Sequence, residues 1–507
     1  MRNRLMKATT LSFALAASGC AIGPDYQTPT SPLPAAFELA QSVPPRARQT
    51  EDGVVSDDTV LAHWWTTFED PALDVLIERA LAQNPDLSQA QARVAQARGI
   101  LRLAKGDLAP SAALVAAGGY QQASLEDQTG GLFADGLAPR HSDFYQVGLD
   151  SSWELDVFGG RRRALEGAKA DTDAAIERVL ASRVIVAAET ARAYYTVHAL
   201  TQRIAVAERS IETARELVSL TSQRFDKGLS PRLDLTQAQA LLANSEALLP
   251  QLEAARTEAE SGLAVLTGGY LQDNKGLLQN SGHPLPTDKP IAAVMDAPVD
   301  IIRHRPDVRA AERRLAARNA DIGVAVAEYF PKITLGGAVG YSALDTNNLV
   351  GSDAIQYSVG PRISWRLFDQ VRIAGQVASA RGRRAEQLAA YQASTVKAVA
   401  EVETAIAAYD GSRRTESKLR TSLEAAEETR DLSRLAYDGG VISFLQVIDA
   451  QRQLDVADDQ LVIARLRTVE SVISLYKSLG GGWSEADREQ VVVQAAELVR
   501  KDRRRQG

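Results

Sequence analysis

The chain repeats itself, and this duplication constrains its fold more than any other feature of the sequence. Residues 84–120 align without a gap onto residues 305–341, so that Tyr120 meets Tyr341. Two later pairs of segments also match, 147–155 with 359–367 and 225–239 with 437–451. Each half therefore reads as helix, strand, loop, strand, long helix, turn and helix, which predicts two structural repeats.

The repeats divide the chain into segments. We predict a lipoprotein-type signal peptide (1–19), an N-terminal lipid-anchored segment (20–68), a first repeat (69–269), a linker (270–300), a second repeat (301–482) and a C-terminal tail (483–507). The linker contains several prolines and glycines and reads as loop. Each repeat is expected to hold one β-hairpin, at about 111–157 and at about 332–368.

The predicted strands have one apolar and one polar face. The apolar faces are Tyr145, Val147, Leu149, Ser151, Trp153 and Leu155 in the first repeat, and Tyr357, Val359, Pro361, Ile363, Trp365 and Leu367 in the second. Each run is about the length of a tilted membrane strand, 9–11 residues. A soluble sandwich with one wet face has the same period. Secretion, a lipid anchor and aromatic residues at the strand ends favour a membrane barrel.

Two details of these strands lead to further expectations. Pro361 cannot donate to a ladder, so it predicts a bulge or a locally unpaired position. Tyrosines end the strands that rise from helices, and tryptophans end the strands that return to them. We therefore predict two aromatic girdles, Tyr120 and Tyr341 near the outer surface and Trp153 and Trp365 near the periplasmic interface, with extracellular loops at about 124–141 and 344–354.

Four strands cannot close a barrel. An open sheet edge cannot lie in hydrocarbon, because its unpaired backbone groups have no partners there. The chain must therefore supply part of a shared barrel. Two chains give about eight strands and a filled interior, whereas three give about twelve and leave room for a channel. The polar inner face favours the trimer. The predicted fold class is thus an α+β membrane protein with a shared 12-stranded transmembrane barrel, four strands per chain.

Long helices connect the strands to sharp turns. Residues 161–225 contain no proline and carry a sustained heptad pattern, which predicts a coiled-coil helix about 100 Å long. The second repeat has the same pattern, and heptads alone also fit a rod-like scaffold without a pore. At the turns, Gly228 and Gly440 suit a left-handed helix end, Ser230 an N-cap and Pro231 the first helical position. Ser443 with Gln446 reads as a capping box.

The start of the chain resembles a bacterial lipoprotein signal. A short apolar run follows a positively charged start and leads into Cys20, the only cysteine in 507 residues. In the lipobox that this resembles, the cysteine becomes the first mature residue and carries a diacylglycerol. The alternative is an ordinary signal peptide with an incidental thiol, but a lone cysteine in a secreted chain needs a special reason. Ala21 rather than Asp at the next position favours the outer membrane over the inner one.

Composition and motifs exclude several functional classes. The net charge of −7 does not favour a nucleic-acid partner. The sequence contains no GxxxxGK[ST], HExxH or GxSxG motif, and its five histidines are not at metal-ligand spacing. We therefore predict no enzyme activity, no metal site and no cofactor apart from the covalent lipid on Cys20.

Several motifs together resemble one family. They are "CAIGPDYQTP" (20–29), "HWWTTFEDPALDVLIERALAQNPDL" (63–87), "RPDVRAAERRL" (305–315), "AEYFPKITL" (327–335), "SWRLFD" (364–369) and "LYKSLGGGW" (475–483). Spread over residues 20–483, they resemble the TolC-like outer-membrane factors of the NodT/OprM-type lipoprotein branch. The resemblance implies a homotrimer whose barrel continues into an α-helical coiled-coil periplasmic tunnel. It also implies an equatorial belt built from the N-terminal, linker and C-terminal segments.

The resemblance also implies a function and its partners. Such channels passively conduct drugs or other small molecules that an inner-membrane pump, here of the RND type, expels through a periplasmic adaptor, the membrane fusion protein. The expected location is the bacterial outer membrane, with lipid contact and extension into the periplasm. The same fold exports proteins in type I secretion, which is the main alternative, and a non-channel coiled-coil scaffold is a second one.

Residue roles follow from matching the family's motifs to this sequence. The two helix turns are implied to meet the adaptor, through Gly228, Ser230, Pro231, Asp234, Gly440 and Ser443. The alternative is that these residues serve only to cap helices.

The pore gate is implied at Leu445 and Asp449, which are four residues apart and hence on one helix face. The alternative is a leucine that packs in the coil and a solvated aspartate. Tyr437 matches a tyrosine that latches the closed state, whereas Ile442 stands where the TolC branch has a latching arginine.

Overall fold

A computed structural model gives the structure of this chain. It describes residues 21–30, 34, 37–38, 61–126, 137, 139–278, 285–287 and 299–505. Cys20 lies outside the described residues, and so do residues 127–136 and 138 of the loop expected at about 124–141.

Most of the described chain is helical. The main helices are α1 (Pro71–Gln83), α2 (Pro85–Gly106), α3 (Gly160–Asp226), α4 (Arg232–Leu266), α5 (Pro306–Ala327), α6 (Gln370–Asp438), α7 (Phe444–Ser478) and α8 (Glu485–Arg505). A short turn of helix spans Lys275–Leu278. The two long helices predicted from the heptads are α3, with 67 residues, and α6, with 69. Within the described ranges, no helix combines the length and the apolar character that crossing a membrane requires.

Local chemistry explains where the first of these helices begins. The Asp70 carboxylate accepts hydrogen bonds from the backbone N–H groups of Ala72 and Leu73 at 3.0 and 3.3 Å. Pro71 occupies the first helical turn, where its missing N–H costs nothing. An aspartate cap and a proline at the start together fix this end of α1.

The strands form one antiparallel sheet in chain order, β1 (Ser111–Gln122), β2 (His141–Leu155), β3 (Lys332–Ala343) and β4 (Ile355–Ser364). Ser111 lies opposite Ser152 in the first hairpin, and Lys332 lies opposite Ser364 in the second. These are the positions that the sequence repeat matches with each other. The two hairpins therefore have the same register, and the internal duplication is a duplication of structure as well as of sequence.

The alternation of apolar and polar residues continues across all four strands. Leu114, Leu149, Val339 and Tyr357 lie directly opposite one another in one row. One residue earlier or later along each strand, Ala113, Asp150, Ala338 and Ser358 form a row on the other face. Because successive side chains point to opposite faces, one face of the sheet is apolar and the other is small or polar.

Pro361 does not interrupt the ladder, so the predicted bulge or unpaired position is wrong. Leu335 lies opposite Pro361 and Gly336 lies opposite Gly360, with no extra residue between them. Within this chain β4 is an edge strand, and an edge can hold a residue without an N–H because one side of the strand needs no donor.

The chain forms two compact units, each built from both repeats. Unit 1 comprises the described parts of Met1–Pro29, Gln96–Ala174 and Glu312–Ala390, and includes the sheet; unit 2 comprises the remainder. In unit 2, Trp64 is fully buried and stacks on Tyr476 with ring centroids 5.4 Å apart. Phe68 and Tyr195 extend this aromatic core at a centroid distance of 5.4 Å.

Candidate functional site

The apolar face of the sheet is exposed to its surroundings in the single chain. Leu114 is 77% exposed, Tyr357 82% and Val359 78%. Soluble monomers rarely expose a contiguous apolar patch of this kind. A lipid-facing band of strand residues accounts for it, since hydrocarbon replaces water around such side chains.

The four aromatic residues predicted as girdles lie on this apolar face, at its two ends. Tyr120 and Tyr341 lie at one end of the strands, and Trp153 and Trp365 at the other. Trp365 lies one residue beyond the end of β4. Whether the two ends meet the two membrane interfaces stays a prediction.

Each of the two tryptophans makes a hydrogen bond to a backbone carbonyl, and sequence reasoning did not find these two equivalent bonds. The Trp153 indole N–H donates to the Leu108 carbonyl at 3.0 Å, and the Trp365 indole N–H donates to the Tyr329 carbonyl at the same distance. Leu108 and Tyr329 are matched by the repeat, which is the signal that could have found the pair. A ring that is apolar at one end and hydrogen-bonded at the other suits a membrane interface.

Both long helices end in the same motif at the hairpin tips. Gly228 and Gly440 have φ of +69° and +72°, the left-handed conformation that was predicted for them. The Leu229 N–H donates to the Arg224 carbonyl, and the Val441 N–H to the Ala436 carbonyl, both at 2.8 Å. Leu229 and Val441 follow the glycines and are 67% and 79% exposed. Each tip therefore presents an apolar side chain to its surroundings.

The helices that return from the tips begin differently from each other. The Gln446 side chain accepts a hydrogen bond from the Ser443 backbone N–H at 3.1 Å, as the predicted capping box requires. In the first repeat, α4 begins at Arg232 and Pro231 is its N-cap. The predicted roles of Ser230 as N-cap and Pro231 as first helical residue are therefore wrong.

The backbone of Pro231 accounts for this difference. With φ of −70° and ψ of 156°, Pro231 is extended rather than helical, so α4 starts one residue later than predicted. The Ser230 hydroxyl is buried and, among the described residues, has no hydrogen-bond partner. Asp234 lies in the first turn of α4, where a negative charge is favourable.

Tyr437 lies at the centre of a contact between the two tips. The Arg224 guanidinium carbon is 4.7 Å from the centroid of the Tyr437 ring, and the Phe444 ring centroid is 5.4 Å from it. Arg224 also lies 3.8 Å from the Asp438 carboxylate. Burial raises the pKa of the Tyr437 phenol, and the Arg224 charge partly opposes this.

Arg224 is the residue that sequence reasoning missed at this site. Ile442 stands where the related branch has a latching arginine, and it packs at the edge of the tip core instead. The repeat matches Phe225 with Tyr437, so the arginine beside Phe225 could have been a candidate for the Tyr437 partner. The buried core beneath the tip is Ala214, Leu217, Ala238, Leu241, Tyr437, Phe444, Val447 and Ile448.

The predicted gate residues lie on the face of α7 that this core leaves free. Leu445 is 48% exposed, and Asp449 is exposed as well. Phe444, Val447 and Ile448 are buried on the opposite face. The structure therefore brings Leu445 and Asp449 together on one exposed surface, where three copies of each could face a common axis. That arrangement stays a prediction.

An amphipathic four-stranded sheet and two long helical hairpins together define an outer-membrane channel of mixed α and β structure. The family model described as outer membrane efflux protein matches residues 76–269 and 297–481 of this chain. The chain belongs to this family, and its place is the bacterial outer membrane.

Individual relatives and structures agree with this assignment. Nodulation protein T of Rhizobium leguminosarum bv. trifolii is 30% identical over 490 residues, which cover 95% of this chain and 98% of that protein. The toluene efflux pump outer membrane protein TtgF of Pseudomonas putida is 30% identical over 500 residues, 96% of this chain and 100% of that protein. The solved structure of the outer-membrane channel OprN superimposes with a TM-score of 0.81 at 32% identity, covering 92% of this chain and 100% of that one.

The comparisons confirm the family, the fold class and the main function predicted from the sequence. The chain has the TolC-like channel fold, with four strands, long helices and an internal duplication. It is an efflux channel component of the outer membrane.

Proposed function

We propose that three copies of this chain assemble into one channel that passively conducts drugs and other small molecules out of the cell, without catalysis. The channel receives its cargo from an inner-membrane pump of the RND type through a periplasmic adaptor. The observation that carries this proposal is the sheet, which has an apolar outer face and two unpaired edges, β1 and β4, in the single chain.

The edges support the assembly. Their unpaired backbone groups cannot remain in hydrocarbon, so β4 of one chain pairs with β1 of the next. Three chains give about twelve strands, and a barrel of this size leaves a lumen for water. The face that turns inward carries glycine, serine and glutamine together with Asp150, which suits a wet interior.

The tips support the partnership with an adaptor. Leu229 and Val441 are exposed beside rigid left-handed turns, and exposed apolar residues on a rigid scaffold are typical of docking surfaces. Gly228, Ser230, Pro231, Asp234, Gly440 and Ser443 shape this surface. In the closed channel, Leu445 forms an apolar ring, Asp449 an acidic ring, and Tyr437 latches the tips. Named relatives that export toluene and pyoverdine favour small molecules over proteins as cargo.

The N-terminus supports a lipid anchor. We propose that Cys20 is the first residue of the mature chain and carries the lipid, because it is the sole cysteine and ends a lipobox-like run. Two or more acyl chains hold a protein stably on a membrane, whereas one chain does not.

One pair of measurements tests the function. Deleting the gene should lower the minimum inhibitory concentrations of several unrelated small antibiotics, and the plasmid-borne gene should restore them. The purified protein should form trimers and give discrete single-channel currents in planar bilayers. Trimers without conductance would point to a scaffold, and unchanged drug susceptibility together with loss of a secreted protein would point to type I secretion.

A further inference from the structure

The segment directly after Cys20 lies in a groove of unit 1 whose main polar group is Arg163. The Arg163 side chain is only 5% exposed, although it comes from the start of α3. Its guanidinium donates to the carbonyls of Ala21, Ile22 and Gly23 at 3.3, 3.1 and 3.2 Å, to the Asp25 carboxylate at 2.7 Å and to the Glu166 carboxylate at 2.8 Å. A guanidinium has five N–H donors in a rigid fork, and here they bind three successive backbone carbonyls.

Glycines make room for the segment at three places. Gly23 has φ of +103°, and a Cβ on it would lie 2.6 Å from the Gly323 Cα. A Cβ on Gly323 would lie 2.8 Å from the Ile22 carbonyl oxygen and 2.6 Å from the Arg163 side chain. A Cβ on Gly159 would lie 2.6 Å from the Ala21 Cα. The backbone of the segment therefore lies so close to the groove that a residue larger than glycine would collide at these three positions.

Further contacts hold the segment on both of its sides. The Ile22 N–H donates to the Phe158 carbonyl at 3.2 Å, next to the start of α3. The fully buried Asn319 amide of α5 donates to the Pro24 carbonyl at 2.8 Å. Tyr26 packs on three alanines of α3 and α5, and its hydroxyl donates to the Glu312 carboxylate at 2.8 Å. The segment thus joins α3 of the first repeat to α5 of the second.

We propose that residues 21–28, here called the N-terminal strap, are a docking element for which this groove is the receptor, and that Arg163 is its main binding residue. The strap fixes where the acyl anchor leaves unit 1. Cys20 is bonded to Ala21, and Ala21 contacts Gly159, four residues after the end of β2. The anchor therefore enters the membrane at the end of the strands that carries Trp153. Since the lipid attaches from the periplasmic side, that end is the periplasmic one.

The part of this inference that concerns the anchor rests on the proposed acylation of Cys20, whereas docking of the strap does not. Hydrogen–deuterium exchange of the full-length, membrane-extracted oligomer measures docking directly. In the wild-type protein the non-proline amides of residues 21–30 should exchange much more slowly than those of an unfolded peptide, above all the Ile22 amide, which donates to the Phe158 carbonyl. Arg163→Ala and Arg163→Lys should both speed this exchange by about tenfold or more, because one ammonium cannot replace the fork.

Gly323→Ala gives a sharper test, because we expect this glycine-to-alanine change in a helix to destabilise the docked segment. Alanine normally stabilises a helix interior relative to glycine, but here its Cβ would collide with Ile22 and Arg163. We expect fast exchange in residues 21–30 with α5 intact. Gly375→Ala in α6 is the matched control, because its Cβ would meet nothing within 4 Å, and it should leave the strap protected. Arg318→Ala controls for loss of a half-buried arginine of α5 that does not touch the strap.

Palmitate labelling and oligomer yield separate this inference from the proposed function. Both should be unchanged in Gly323→Ala, since acylation precedes docking and the barrel edges are not affected. Loss of labelling in the wild-type protein would refute the anchor and leave strap docking standing. Exchange in residues 21–30 that is as fast as in an unfolded peptide, or that does not respond to Gly323→Ala, would overturn the docking.

Discussion

At the scale of single residues, the sheet depends on a pair of glycines. Gly148 and Gly340 lie directly opposite each other on β2 and β3. A Cβ on Gly340 would lie 2.5 Å from the Val147 carbonyl oxygen and 2.6 Å from the Gly148 Cα. Both contacts are with backbone, which cannot rotate away as a side chain can. At this point the two central strands therefore lie closer together than any residue larger than glycine would allow.

We accordingly expect Gly340→Ala to weaken the sheet by about 1–3 kcal/mol, the usual cost of overpacking. Assembled oligomer recovered from outer membranes should fall, and its melting temperature should drop. Gly360→Ala is the control, since that glycine is on β4 and its Cβ would meet nothing within 4 Å. Equal oligomer yield and melting temperature for the two variants would show that the close approach has no energetic consequence.

The gate is a second question at the residue scale. Leu445 and Asp449 share the free face of α7, so the double variant Leu445→Ala with Asp449→Ala should widen the constriction and remove its negative charge. Three leucines resist wetting and three carboxylates attract cations, so single-channel conductance should rise and cation preference should fall. Cells should become sensitive to large antibiotics while trimers persist. Conductance and ion preference both unchanged would exclude these residues as the gate.

At the scale of elements, the two helical hairpins are joined at their tips through Arg224 and Tyr437. Cation–π contacts contribute about 0.5–1 kcal/mol at exposed sites and more when desolvated. Burial raises the pKa of the Tyr437 phenol further above neutral pH, so the contact uses the neutral ring and not a phenolate charge. The tips also share the buried core beneath them, so this contact is one of several that hold the two hairpins together.

We expect Arg224→Ala to release this contact and to increase spontaneous channel openings in planar bilayers. Tyr437→Phe keeps the ring and should behave like the wild-type protein, whereas Tyr437→Ala should resemble Arg224→Ala. If Tyr437→Phe opens the channel as much as Tyr437→Ala does, the hydroxyl and not the ring is the latch.

Two variants distinguish the two possible roles of the tip residues, which are docking of an adaptor and capping of the helices. Gly440→Ala strains a left-handed position by about 1–2 kcal/mol but leaves the exposed surface nearly unchanged. Val441→Asp adds no backbone strain and places a charge on the proposed docking surface. We expect Val441→Asp to abolish resistance with trimers intact, and Gly440→Ala to have the smaller effect. Val493→Asp, an exposed position on α8, is the control. The reverse order of effects would mean that the tip residues matter for capping alone.

At the scale of the whole molecule, each compact unit takes segments from both repeats. A cut at the linker would therefore divide both units and leave neither of them whole. The lipid anchor proposed at Cys20 belongs to this scale too, because it would bind the whole assembly to the membrane independently of the barrel.

Cys20→Ser should abolish palmitate labelling, because no other cysteine is present. Trimers should still form, since closing the strand edges is sufficient reason for assembly. Labelling that persists in this variant would refute acylation at Cys20. Loss of trimers with normal expression would mean that the anchor is needed for assembly, contrary to this expectation.

The sequence by itself determined the local structure. The two-residue period predicted which face of β2 and β4 is apolar, because side chains alternate along any strand. The glycines at 228 and 440 predicted the left-handed turns, because few other residues adopt them. The heptad patterns predicted the long helices α3 and α6. For α3 the predicted bounds, 161–225, differ from the observed ones by one residue at each end. Each of these follows from interactions between residues close in the chain.

The tertiary structure alone decided the contacts between distant segments. Arg224 reaches Tyr437, Arg163 binds the N-terminal strap, and Gly148 faces Gly340 across sequence separations of more than a hundred residues. No local pattern encodes such pairs, because they depend on how helices and strands come together after each has formed. Ser230 and Pro361 show the same limit from the other side. Residue preferences predicted an N-cap at Ser230 and a bulge at Pro361. Instead, α4 begins one residue later than predicted, and the position of β4 at the edge of the sheet lets Pro361 stay in the ladder.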